Sequence, residues 1–307
     1  MVVGAYGAGL TVTVDRAPEA GETVIGHFFS SGPGGKGSNQ AIAAARLGAA
    51  VHLCSVLGND HYGADALELW NTEGVQASLV HTVAGSTMVG VILVEANGEN
   101  RIAIAPGVLE MFSTAHLVGL DHVLSSADVL LVSLEIPLTT AVEALRRGRA
   151  MGVTTILNPA PAPTSRLPDG ALDLVDVLTP NRTEAAQLAG LPVTTDPQLL
   201  LEANCFDNIA TIALTLGREG VLLRHQGVVT SVPAVPVAAV DSTGAGDAFN
   251  GALAIKLAQN WTALEAVQFA TYAAAYSVGR HEVVPSLPRP SDLANEVSRQ
   301  SATVRSE

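Results

Sequence analysis

The sequence predicts an α/β protein: a central, mostly parallel sheet flanked by helices, with a small β subdomain attached. Three observations predict it. From Ala127 onward β-rich runs alternate with helical periodicities, the pattern of parallel β-α-β units. Hydrophobic residues are 48% of the 307, against 4% aromatic and 15% charged, which suits a buried sheet under Ala- and Leu-rich helices. Ahead of the alternation, the β-rich runs Thr87–Ala96 and Arg101–Ala105 are joined through Asn97-Gly98, a strong hairpin signal.

At this length the chain is one large α/β domain or two smaller ones. No long linker, repeat or low-complexity tract divides it. A single domain over residues 1–307 is therefore expected, its β subdomain drawn from about 10–30 and 86–106. Val2–Ala5 reads as a buried strand. Gly4-Ala5-Tyr6-Gly7-Ala8-Gly9 suggests a dinucleotide fingerprint, but that motif must open a helix, and Leu10–Val14 alternates like a strand. Gly21–Phe29 reads as a strand, Ser31–Asn39 as a glycine-rich loop, and Gln40–Leu47 as a helix ended by Gly48. Lys36 sits among glycines but precedes Gly37, so the loop is not a Walker motif. Val51–Leu57 is a strand and His61–Glu73 a helix closed by Gly74.

The alternating part follows. Strands are expected at Val129–Val132, Val153–Leu157, Val175–Leu178 and Ile209–Leu216; Val221–His225 and Val228–Val232 pair around Gly227. Helices are expected at Leu138–Met151, Glu184–Ala189, Ala248–Gln259 and Leu264–Val278. Arg289–Glu307 is polar and reads as a final, fraying helix.

A net charge of −13 argues against a nucleic-acid partner and an anionic membrane surface, since no basic stripe can neutralise phosphates. An anionic nucleotide must be held by local amides and Mg²⁺ instead. Cys54, in an apolar run, and Cys205 give neither a disulfide framework nor metal spacing, which fits a reducing, cytoplasmic setting. The apolar N-terminus lacks a positive segment before it, and no apolar run reaches transmembrane length.

One stretch carries chemistry in its own right. Asp241-Ser242-Thr243-Gly244-Ala245-Gly246-Asp247-Ala248-Phe249 leads from an apolar run into a helix. The first amides of a helix lack intrahelical partners and face the positive dipole end, so Gly244, Ala245 and Gly246 form an anion cradle. Asp247, in the same turn, can take a proton from a hydroxyl while the amides stabilise phosphoryl charge. Polar residues or glycines also follow several strands: Glu135, Asn158, Asn181, Gly217 and Asp241, as a cleft at the strand C-termini requires.

The stretches Asp241–Phe249 and Gly34-Gly35-Lys36-Gly37-Ser38-Asn39-Gln40 resemble the C-terminal and N-terminal signatures of the PfkB (ribokinase) family of sugar and nucleoside kinases. The resemblance spans nearly the whole chain. It implies a ribokinase-like three-layer α/β/α fold whose β subdomain is a lid over the sugar and a homodimer surface. It also implies ATP-dependent phosphorylation of a hydroxymethyl group, with Asp247 as base and Gly244, Ala245 and Gly246 as the anion hole. Gly35, Lys36, Asn39 and Glu135 match sugar-contacting positions. Asn181 and Glu184 match the N-x-x-E motif that organises Mg²⁺ and its waters. Thr215, Gly217 and Gly220 match the loop beside the nucleotide, and Thr271 falls where adenine packs. Asp241 and Thr243, with the loop carrying Ser277, Arg280, Glu282 and Ser286, match a K⁺ site; ribokinases usually have glycine at the Glu282 position.

The chain departs from the family at the acceptor. Gly7 and Gly9 stand where ribokinases carry an Asn-x-Asp that holds ring hydroxyls, and Leu109 where they often carry Asn. Loss of such a carboxylate weakens sugar binding by about 1.5–3 kcal/mol unless Thr11 or Asp15 replaces it. A larger, more apolar pocket at Gly7, Gly9 and Leu109 would favour a nucleoside. The expected function is thus a ribokinase-type carbohydrate kinase, the alternatives being a nucleoside kinase and a non-catalytic sugar-binding protein.

Overall fold

The computed structural model describes residues 1–97 and 99–294. Its main sheet is built from β1 (Val2–Val3), β4 (Val51–Gly58), β5 (Val75–Val83), β8 (Val129–Ser133), β9 (Thr154–Asn158), β10 (Val177–Leu178), β11 (Thr211–Thr215), β12 (Val221–His225) and β13 (Val228–Val232). In space the order is β13-β12-β11-β10-β9-β8-β1-β4-β5. Every pairing is parallel except β11–β12 and β12–β13.

The central strands are covered on both faces, as parallel strands require. In β8, Val129 and Leu131 point into one core with Trp70 and Phe249, while Leu130 and Val132 point into another with Phe112 and Phe206. Helices α1 (Lys36–Arg46), α2 (His61–Glu73), α7 (Ala245–Ala258) and α8 (Ala263–Val278) contribute to the first core. Helices α4 (Leu138–Ala150), α5 (Arg182–Ala189) and α6 (Pro197–Leu201) contribute to the second. The result is three layers, with the helix–sheet–helix order expected. Two further short helices are α3 (Leu120–Leu124) and α9 (Val283–Ser286).

A second sheet has the order β3-β2-β6-β7, from β2 (Gly7–Val14), β3 (Phe28–Gly34), β6 (Met88–Glu95) and β7 (Asn100–Ala105). Gly98, in the expected β6–β7 turn, lies outside the described residues.

The element bounds differ from expectation in instructive places. The strand expected over 21–29 instead runs Phe28–Gly34, through Ser31-Gly32-Pro33-Gly34. β3 is an edge strand paired only to β2, and an edge tolerates a proline that cannot donate. The glycine-rich loop expected up to Asn39 is therefore strand followed almost directly by α1. β5 was not expected; it is a partly exposed edge strand, where apolar alternation is weak. Val2–Ala5 shortens to Val2–Val3, and α7 begins at Ala245, three residues before its apolar repeat. Residues 290–294 are helical, and the rest of the expected final helix, from 295 on, lies outside the described residues.

Among the described residues no helix is long and apolar enough to cross a membrane. Cys54 is buried and Cys205 exposed, both as free thiols.

Candidate active site

The site begins where β3 hands over to α1. Gly35 is the N-cap of α1 at φ 86, a left-handed value that suits glycine. A Cβ there would stand 2.6 Å from Tyr6 Cα. Gly35 thus seats the start of α1 against Ala5 and Tyr6, between β1 and β2. The N–H of Lys36 donates to Glu135 Oε2 at 2.6 Å, placing a carboxylate at the positive end of the helix.

α1 and α7 then approach unusually closely. A Cβ on Gly251 would lie 2.5 Å from Ala43 Cβ and 2.9 Å from Gln40 O. The missing side chain lets the helices meet, and that brings two amides of α1 onto the carboxylate of α7. Asn39 Nδ2 donates to Asp247 Oδ2 at 2.9 Å, and Gln40 Nε2 donates to Asp247 Oδ1 at 3.0 Å. Asp247 is only 5% exposed, so this pairing is what makes a carboxylate tolerable there.

Gly244 is the N-cap of α7 at φ 82, and no side chain caps it. Ala245 N–H makes a long 3.3 Å turn contact to Ser242 O. The amides of Gly244 and Gly246 have no protein partner among the described residues. A Cβ on Gly246 would meet nothing within 4 Å, whereas one on Gly244 would strike Val283 at 2.5 Å. The space where a Gly246 side chain would lie is therefore open, and Ala245 is the least available of the three predicted donors.

Four charged groups converge on this turn. The charge of Asp247, followed by those of Glu135 and Glu184, holds the Lys36 ammonium above its usual pKa despite its burial. Burial pushes Glu135 up to about 7, against the opposing charge and N–H of Lys36. Burial also raises Glu184, opposed by its hydrogen bonds from Asn181. Asn181 is the N-cap of α5, and the pair forms a reciprocal capping box: Glu184 N donates to Asn181 Oδ1, and Asn181 N to Glu184 Oε2, each at 2.8 Å. Among the described residues no group of three or more His, Cys, Asp or Glu is arranged to hold a metal. A Mg²⁺ near Glu184 would take its remaining ligands from water and phosphate, the usual habit of that ion.

The other predicted nucleotide residues sit as follows. Asn181 and Thr215 form an isolated parallel bridge, which sets them side by side. Gly217 has φ 58 and open space where a Cβ would lie. Gly220 is a packing glycine: its Cβ would strike Val232 O at 2.2 Å. Thr271 is buried in α8 and bonds back to Val267 O. Val240 and Asp241 both donate to Val278 O, which draws Asp241 beside the 277–286 loop. There Ser277 and Ser286 are fully buried and bonded to each other at 2.8 Å, and Arg280 stacks on Tyr276. Thr243 N donates to Asp241 Oδ1 at 2.9 Å. A K⁺ here would depend on backbone carbonyls. Glu282 holds φ 62 and ψ 160, a region almost reserved for glycine.

Two acceptor-side expectations are corrected. The room expected at Gly7 is filled, because Met88 Cε lies 2.5 Å from where its Cβ would be. Leu109 is 2% exposed and packs in the core with Met88, Val108 and Phe112. Asp15 is bonded to His27 at 2.9 Å on an exposed part of the chain.

Sequence reasoning missed Gln40, Thr179 and Asn250, and gave Asn158 no role beyond its strand end. The available signal was a polar Gln40 set directly before the apolar run Ala41-Ile42-Ala43-Ala44-Ala45.

Residues 2–290 match the pfkB family carbohydrate kinase. The ribokinase of Haemophilus influenzae is 35% identical over 290 residues, covering 94% of each chain. That of Bacillus subtilis is 36% identical over 277 residues, 90% of this chain and 92% of its own. The structure of Arabidopsis thaliana ribokinase complexed with ribose and ATP superposes with a TM-score of 0.86 at 29% identity, covering 96% of both.

Proposed function

This chain belongs to the pfkB family of carbohydrate kinases, phosphotransferases with an alcohol group as acceptor, and on that premise we propose how its residues divide the work. Asp247 takes the proton from the acceptor hydroxymethyl group. The amides at the start of α7, Gly246 foremost, hold the charge that gathers on the transferring phosphoryl. Lys36, Asn39 and Glu135 orient a sugar of the ribose type. Proton transfer by a placed carboxylate contributes about 10²–10⁴ in rate, and most of the remainder comes from alignment and charge stabilisation.

The observation that carries this reading is the junction of an ionisable carboxylate, gripped by Asn39 and Gln40, with a free helix-start amide and open space one residue before it. Asn181, Glu184, Thr215, Gly217 and Thr271 would line the nucleotide. Mg²⁺ near Glu184 supplies charge neutralisation on the phosphates when bound. A K⁺ between Asp241 and the 277–286 loop belongs to the same proposal. Met88 fills the space at Gly7 and Leu109 is buried, which weakens the case for a nucleoside, while a Cβ at Gly9 would meet nothing closer than 3.7 Å.

The small sheet, as the lid, also supports a homodimer. Phe28, Phe29, Ile102 and Ile104 are each more than half exposed on it, a large apolar area for a monomer to leave in water. A cytoplasmic setting accords with two free thiols.

The test is ADP release from ATP over a panel of acceptors: ribose, 2-deoxyribose, hexoses, hexose phosphates and nucleosides. Turnover with a free pentose is expected. Turnover with nucleosides alone would replace the acceptor assignment, and none with any acceptor would refute the proposal.

A further inference from the structure

We infer that Gln40, Asn158, Thr179 and Asn250 are positioning residues that lock the carboxylate of Asp247 to the peptide preceding it, an inference that rests on the kinase reading above. A run of five hydrogen bonds leaves Asp247 and returns to that peptide. Gln40 Nε2 donates to Asp247 Oδ1 and to Asn158 Oδ1, each at 3.0 Å; Asn158 Nδ2 donates to Thr179 O at 3.0 Å; Thr179 Oγ1 donates to Asn250 Oδ1 at 2.6 Å; Asn250 Nδ2 donates to Gly246 O at 2.8 Å. The Gly246 carbonyl shares its peptide plane with the Asp247 N–H. One circuit therefore fixes both the carboxylate and the backbone plane of the turn beside it.

The circuit joins four separate elements. Gln40 comes from α1, Asn158 from the end of β9, Thr179 from just after β10, and Asn250 from α7. All four side chains are buried. Each is neutral, so the circuit fixes geometry without adding charge to the cluster of Lys36, Glu135, Glu184 and Asp247.

Its polarity is single. Gln40 Nε2 serves two acceptors, and its Oε1 is buried without a partner, as is Asn39 Oδ1. Turning either amide over would set an oxygen against the carboxylate. A network selected for stability alone would satisfy those oxygens, since a buried acceptor without a donor costs free energy. Here the unpaired oxygens are the consequence of turning the amide nitrogens of both Asn39 and Gln40 toward Asp247.

Thr179 is the place to test this, because Thr→Val removes the hydroxyl at nearly constant shape, whereas Asn250→Ala opens a hole in the core. With ATP and the best acceptor, Thr179→Val is expected to lower kcat about tenfold while both KM values stay within about twofold. Thr179→Ser, which keeps the hydroxyl, is expected to restore kcat. Thermal unfolding of both variants confirms that they are folded. A Thr179→Val kcat equal to wild type, a loss confined to KM, or a Ser variant as slow as the Val variant would overturn the positioning role while leaving the kinase reading intact. Wild-type protein inactive toward every acceptor would overturn that reading, and the circuit with it.

Discussion

Asn39 and Asp247 are 208 positions apart in the chain, yet Asn39 Nδ2 lies 2.9 Å from Asp247 Oδ2. The contact exists because α1 and α7 touch backbone to backbone at Gly251, and it places a buried carboxylate one residue after an open amide. The reactive geometry thus depends on a helix–helix distance as much as on the residues themselves.

Replacing the proposed base tests its role first. Asp247→Asn keeps the size and one acceptor oxygen but cannot take a proton. The expected loss in kcat is at least about 10²-fold, with ATP affinity within a few-fold of wild type. Steady-state kinetics and calorimetric ATP binding check both halves. A variant with near-normal kcat would remove Asp247 from the base role.

Gly251→Ala tests the packing that delivers the site. Its methyl group would start 2.5 Å from Ala43 Cβ and 2.9 Å from main-chain atoms of Gln40 and Ala44, so the helices must separate. Overpacking of this kind costs about 1–3 kcal/mol. Denaturant unfolding should show that loss, and kcat should fall as Asn39 and Gln40 withdraw from Asp247. Unchanged stability would mean that the helices part more easily than their contact implies.

Glu135 gives a pH signature. Burial raises its carboxyl from 4.5 to about 7. The folded protein keeps a proton there that the unfolded chain has released, so this group's contribution makes stability fall as pH rises from about 4.5 to 7. Binding runs the other way: an ionised Glu135 is the better acceptor for a sugar hydroxyl. The acceptor KM should therefore drop as pH rises through about 7, and Glu135→Gln should flatten that dependence. A wild-type KM independent of pH between 6 and 8, on the order of two units around that value, would contradict the role.

Glu282 occupies a backbone region that favours glycine. Glu282→Gly should remove about 1–3 kcal/mol of strain and lose back about 0.5–1 kcal/mol through the freer unfolded chain. A net gain in thermal stability is expected by calorimetry. A loss would show that the Glu282 side chain makes stabilising contacts that outweigh its backbone.

What was legible in the sequence divides along contact distance. Gly244 to Asp247 are consecutive, so the helix start, its open amides and the carboxylate beside them could be read from nine residues. The parallel core was legible because apolar runs such as Leu130–Val132 bury on both faces. The Gln40–Asn158–Thr179–Asn250 circuit was not, since it joins four separate elements and no local pattern marks its members as partners. β3 was misplaced because Ser31-Gly32-Pro33-Gly34 has turn composition, and only its edge position in the sheet makes a strand of it. Met88 filling the space at Gly7 depends on parallel pairing of β2 with β6, which no local pattern signals.

A crystal structure with a non-hydrolysable ATP analogue and the best acceptor tests the central claim most directly. The terminal phosphate is expected within hydrogen-bonding distance of Gly246 N–H, with the acceptor hydroxymethyl oxygen against the Asp247 carboxylate. A terminal phosphate seated away from the start of α7, or an acceptor whose hydroxyl does not reach Asp247, would contradict it.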